Sequence, residues 1–190
     1  MKNLLACIAA SIFLHSQPAF AQDQKLPTGF RGEFLRQLAD VEKKLIDLEQ
    51  AIPQEKFTWR PGEAVRSIAE VYLHIAGDNY YLMEVVEMNT PADTGVGTGD
   101  SLEHSTVDKS RIAEILRQSF TRVQVGVMKL SEADLGNPVT LFGRQTTVRD
   151  ALLALALHQH EHLGQSIAYA RSNGIVPPWS AARMARQKKN

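Results

Sequence analysis

His158 and His162 stand four residues apart in the stretch from Thr147 to Arg171, TVRDALLALALHQHEHLGQSIAYAR. On a helix, their imidazoles lie one turn apart with Cβ atoms roughly 6 Å from each other, close enough to converge on one ion. Alternating steps of three and four residues pick out Val148, Ala151, Leu155, His158, His162, Gln165 and Tyr169. That is a single seam of the kind that faces a neighbouring helix. The seam begins apolar and turns polar. Burying its two imidazoles, amide and phenol without partners would cost roughly 1–3 kcal/mol per group, and a divalent metal offsets that cost. A third histidine, His74, lies on the line Val71, His74, Asp78, Tyr81, Val85 of an upstream helical pattern. Asp78, one turn beyond His74, can orient that imidazole or sit at the edge of a site. Tyr81, Gln165 and Tyr169 are the remaining pocket candidates.

The other histidines point elsewhere. His160 faces about 160° from the middle of the seam at 100° per residue, and His104 lies in a glycine-rich stretch. Glu161 falls between the two helix histidines in sequence but not on their face. The glutamate does not directly follow the first histidine, so the H-E-x-x-H pattern of metalloproteases is missing.

Four helices must position these groups. Phe30 to Ile52 places Phe34, Leu38, Val41, Leu45 and Leu48 on one stripe, and Pro53 stops it. Phe57-Thr58-Trp59-Arg60-Pro61-Gly62 follows as an ordered connection whose aromatics cap one end of the core. A second helix runs from about Ser67, with Glu70 three residues later as a capping box, to about Met88. Asn89 to His104 carries Pro91, Gly95, Gly97 and Gly99, which predicts a long flexible loop. The third helix covers about Val107 to Leu130, capped by Thr106 or Asp108. Val139 to Gly143 reads as extended or irregular, and no strand pattern is strong enough to build a sheet. The fourth helix is the 147–171 stretch, stopped by Asn173-Gly174 and Pro177-Pro178. These lengths and connections describe an all-α four-helix bundle, in which inward side chains on facing helices build metal sites.

Residues 1–21 read as a secretory signal peptide: a basic start at Lys2, an apolar run from Leu4 to Leu14, and the small-x-small pattern Ala19-Phe20-Ala21. The expected product is exported, to the periplasm in a Gram-negative cell. Residues 22–29 are expected to be a flexible tail, 30–178 the bundle, and 179–190 a basic C-terminal tail. Cys7 is the one cysteine and leaves with the leader, so the mature chain has no disulfide, cysteine nucleophile or thiolate zinc site. Without Lys2 the charge balance is 20 basic against 21 acidic residues, near −1, which gives no footprint for nucleic acid. No apolar run in the mature chain has the length of a membrane span.

The succession Trp59-Arg60-Pro61, Arg66-Ser67-Ile68, His74-Ile75, then His158-x-x-x-His162-Leu163-Gly164-Gln165 with Gly174 and Pro177-Pro178, resembles the DinB family of four-helix-bundle metalloproteins. The resemblance spans helix one to Pro178. It implies His74, His158 and His162 as ligands of one divalent ion, with the remaining positions open to water or substrate. Relatives include transferases and isomerases that use low-molecular-weight thiols, which belong mainly to the cytosol, whereas this chain carries an export pattern. The expected function is therefore a metal-dependent hydrolase or transferase acting on an unidentified small molecule. The ion expected first is Zn²⁺, with Ni²⁺, Fe²⁺ or Mn²⁺ as other ions imidazole accepts. The alternative is a non-catalytic metal-binding bundle that forms a homodimer or senses a ligand.

Overall fold

The computed structural model of the chain describes residues 25–87 and 100–188. The expected leader and most of the expected 89–104 loop lie outside the described residues. Four long helices carry the fold: α1 (Gly29–Ala51), α2 (Ile68–Glu87), α4 (Lys109–Lys129) and α5 (Val148–Ser172). Two short helices join them, α3 (Asp100–Glu103) and α6 (Pro178–Gln187), so the described chain holds six helices rather than the expected four.

Local chemistry accounts for the helix ends. Ile52 precedes Pro53 and takes extended dihedrals of −83° and 123°, as the proline ring demands, and α1 stops there. Ser67 and Glu70 form the expected capping box: the Ser67 N–H donates to Glu70 Oε2 at 2.7 Å and the Glu70 N–H to Ser67 Oγ at 3.3 Å. Of the two expected caps for α4, Asp108 serves, accepting the Arg111 N–H at 2.8 Å. Thr147 caps α5 by accepting the Asp150 N–H. At the other end Gly174 takes a φ of 75°, and the Ile175 and Gly174 N–H groups reach the carbonyls of Ala170 and Arg171, a Schellman ending.

The expected α1 stripe, Phe34, Leu38, Val41, Leu45 and Leu48, is buried. Helices α1 and α2, consecutive in sequence, each pack against both α4 and α5, so the core is shared by all four long helices. Helix α3 packs on α2 and α6 on α1. Among the described residues no helix is long and apolar enough to cross a membrane.

One further expectation is corrected. The region before α5 does form a sheet, an antiparallel hairpin of β1 (Pro138–Leu141) and β2 (Arg144–Thr147). Its turn residues Phe142 and Gly143 have φ values of 48° and 75°, the signs of a type I′ turn, where asparagine-glycine is the usual signal and phenylalanine gives none. Val139 and Leu141 are buried on the inner face, toward α2 and α5. The basic C-terminal stretch forms α6, helical to Gln187. Pro178 at its first turn has φ preset for a helix, and Ala181 and Ala182 follow.

Candidate metal centre

Helix α2 brings His74, and α5 brings His158 and His162, to one point. His158 Nε2 lies 3.2 Å from His74 Nε2 and 2.9 Å from His162 Nε2, and all three rings offer a nitrogen within 4.8 Å of the others. His162 is buried and the other two are half-buried.

The far nitrogens show which atoms face inward. His74 Nδ1 lies 2.7 Å from Glu103 Oε1, and a carboxylate oxygen accepts, so the proton sits on Nδ1 and the lone pair on Nε2. His162 Nδ1 likewise donates to Gln165 Oε1 at 2.7 Å. Gln165 Nε2 in turn donates to the Tyr169 hydroxyl at 3.0 Å, and Tyr169 meets Trp59 edge-on with ring centroids 5.3 Å apart. His158 Nδ1 is buried with no hydrogen-bond partner among the described residues. Two inward lone pairs held beside a third imidazole nitrogen repel one another unless a proton or a cation stands between them.

Electrostatics favour the neutral form of His158 and His74. Burial pushes the His158 imidazole down to about 4, helped by His162, His74 and Arg66. Burial, Arg66 and His162 also lower His74, against the opposing pull of Glu103. Neutral imidazole is the form that binds a metal. The donor set and spacing fit one: bonds of about 2.0–2.1 Å set tetrahedral ligand atoms about 3.3 Å apart and six-coordinate neighbours about 2.9 Å apart.

A carboxylate flanks the cluster on each side. Glu103, on α3, receives His74 on Oε1 and both arms of Arg66, at 2.8 Å from Nε and 3.0 Å from Nη2. Burial alone would raise its pKa, but the Arg66 bonds and charge, together with His74, leave it lowered. Asp78 Oδ2 lies 3.1 Å from His74 Nε2 and 3.0 Å from His158 Nε2. Burial pushes the Asp78 carboxyl up to about 6, with Arg66 opposing and Glu103 reinforcing.

A polar ladder beside the histidines sets the register of the helices. Gln159 Nε2 donates to Asn79 Oδ1 at 2.8 Å, Asn79 Nδ2 to Ser119 Oγ at 3.0 Å, and Ser119 Oγ to the Leu116 carbonyl at 2.8 Å. All three side chains are buried. They tie α5 to α2 and α2 to α4 one residue away from His158 and Asp78.

Of the residues singled out in the sequence, His74, His158, His162, Asp78, Gln165 and Tyr169 come together. Tyr81 instead meets the hairpin tip, stacking on Phe142 at 5.3 Å. His160 bonds the Ala156 carbonyl at the surface, and exposed His104 lies 3.5 Å from Glu70. Gly164 admits no close neighbour, since a Cβ there would meet nothing within 4 Å. Sequence reasoning missed Glu103 and the Asn79 ladder. Glu103 sits at the end of a segment with no periodicity to follow, so nothing local announced where it would go.

The sequence model of the DinB superfamily matches residues 37–166, more than half of the chain and inclusive of all three histidines. The chain belongs to the DinB superfamily. A comparison with curated proteins gave no significant match. Among solved structures, this DinB chain is similar to a DinB-like protein from Bacillus cereus ATCC 10987, at 18% identity and TM-score 0.68, over 78% of this chain and 95% of that one. It is similar to a DinB-like protein from Bacillus subtilis at 18% identity and TM-score 0.59, over 76% and 93%. A third likeness is to YfiT from Bacillus subtilis, described as a probable metal-dependent hydrolase with an unusual four-helix bundle topology, at 14% identity and TM-score 0.61, over 83% and 95%. At these identities the likenesses show the DinB fold.

Proposed function

We propose that His74, His158 and His162 hold one divalent metal ion and that the protein is an exported metal-dependent hydrolase or transferase of a small molecule. The observation that carries this reading is the meeting of the three imidazoles while two of their Nδ1 protons are pinned outward by Glu103 and Gln165. A bound ion supplies Lewis acidity and can draw the pKa of water toward about 7. The chain's own residues do the rest. Glu103, clamped by Arg66, holds the His74 ring so that its lone pair faces the centre and raises its basicity. Gln165, braced by Tyr169, does the same for His162 through a neutral amide. Zn²⁺ is the first choice of ion, with Ni²⁺, Fe²⁺ and Mn²⁺ as competitors. The description of YfiT supports the hydrolase side.

Export belongs to the same proposal and is supported by the basic, apolar and small-x-small succession at the N-terminus. N-terminal sequencing of the protein from a periplasmic extract should begin near Gln22. The metal is tested by elemental analysis and calorimetric titration of the mature protein, with His162→Ala alongside. One equivalent of ion in the native protein and its loss in the variant are expected; absence of stoichiometric metal binding in the native protein would end the reading.

A further inference from the structure

We infer that Asp78 supplies a fourth ligand to this centre, making it a three-histidine, one-aspartate site. The inference rests on the metal reading above and concerns only what completes the ligand set.

The argument begins with which nitrogens the carboxylate meets. A carboxylate that merely orients a ligating histidine bonds the nitrogen facing away from the metal, as Glu103 does at His74 Nδ1. Asp78 does the opposite. Its Oδ2 approaches the inward Nε2 of His74 at 3.1 Å and the inward Nε2 of His158 at 3.0 Å. When those lone pairs point at a cation, Asp78 cannot also take a proton from them, so its oxygen shares the space the cation would fill.

The spacing agrees. His158 Nε2 has His162 Nε2 at 2.9 Å, Asp78 Oδ2 at 3.0 Å and His74 Nε2 at 3.2 Å. Each of these separations is that of neighbouring ligand atoms around one first-row ion. The three imidazoles alone share a common point, so Asp78, which touches His74 and His158, completes the set by turning its carboxylate toward His162 when an ion binds. Helix geometry supplies the reason. Asp78 follows His74 by four residues on α2, as His162 follows His158 on α5, so each helix presents two donors one turn apart toward the other. Paired donors from facing helices are how bundles build metal sites.

A carboxylate ligand changes what the centre can do. It lowers the net charge of ion plus ligands from +2 to +1, and it adds a hard oxygen to three imidazoles. That combination suits ions that accept five or six ligands and so retain room for substrate.

The test uses Co²⁺, whose visible absorption reports coordination, titrated into the metal-free mature protein and its Asp78→Asn, Asp78→Ala and His162→Ala variants. Circular dichroism of the metal-free forms confirms that each is folded, and the near-isosteric asparagine keeps the test intact should alanine fail to fold. The expected result is a Co²⁺ affinity at least about tenfold weaker for Asp78→Ala, an intermediate loss for Asp78→Asn, and a changed absorption band in both. Native-like affinity and an unchanged band in both Asp78 variants, with binding lost in His162→Ala, would overturn the fourth ligand and leave the histidine site standing. No uptake by the native protein, or full uptake by His162→Ala, would bring down the histidine site and the fourth ligand with it.

Discussion

Glu103 Oε1 accepts the Nδ1 proton of His74 across 2.7 Å, joining a four-residue helix to the second long helix at the atom that decides the histidine's tautomer. Arg66 grips the same carboxylate from the other side with two bonds, so the glutamate has little freedom to leave. Glu103→Gln should keep the bulk of the side chain and lose the charge. Divalent-metal affinity is expected to fall about 10–100-fold while the fold survives, read by competition with a chromophoric chelator. Unchanged affinity would show that the carboxylate does not govern His74.

Asn79 is the middle rung of the ladder through α5, α2 and α4. Asn79→Ala strands the Gln159 amide and one side of the Ser119 hydroxyl in the core and leaves a small void, which should cost about 2–4 kcal/mol in urea denaturation. Ser119→Ala, at the end of the ladder, should cost less. Metal affinity should weaken in Asn79→Ala as well, because the rung sets how α2 and α5 meet beside the histidines.

Glu42 gives a pH signature unconnected with the site. Burial holds its carboxyl up at about 7 rather than 4.5, against the Gln124 hydrogen bond and the Arg117 charge. Between those two values the native state binds more protons than the unfolded chain, so this group makes stability fall as pH rises through the window. Glu42→Gln mimics the protonated acid and should remove that fall. The native protein should lose on the order of 1–3 kcal/mol relative to the variant between pH 4.5 and 7.5, in denaturation series at both ends. Parallel stabilities would contradict it.

Gly164 lies inside α5 on an exposed face with open space where a Cβ would stand. Gly164→Ala should raise stability by about 0.5–1 kcal/mol through helix propensity alone and leave metal affinity as it is. A stability gain joined to weaker metal binding would mean that the bare backbone serves the site.

Much of the fold could be read from residue order. The stripe through Phe34, Leu38, Val41, Leu45 and Leu48, the stop at Pro53, the Ser67–Glu70 box and the Asn173-Gly174 ending are interactions within a few residues, so one-dimensional spacing contains them. The hairpin escaped because its strands are four residues each and Phe142 stands where the turn chemistry favours asparagine.

For the centre, the sequence by itself determined that His158 and His162 share a helix face, since one turn of helix follows from a spacing of four. Its family resemblance added His74 to them. Only the tertiary structure decided that Glu103 locks His74 from a segment 29 residues away and that Asp78 faces the inward nitrogens rather than the outward one. The physical reason is that periodicity states which way a side chain leaves its own helix. Which atom it meets depends on the depth and rotation at which two helices pack, and here buried contacts such as the Asn79 ladder set both.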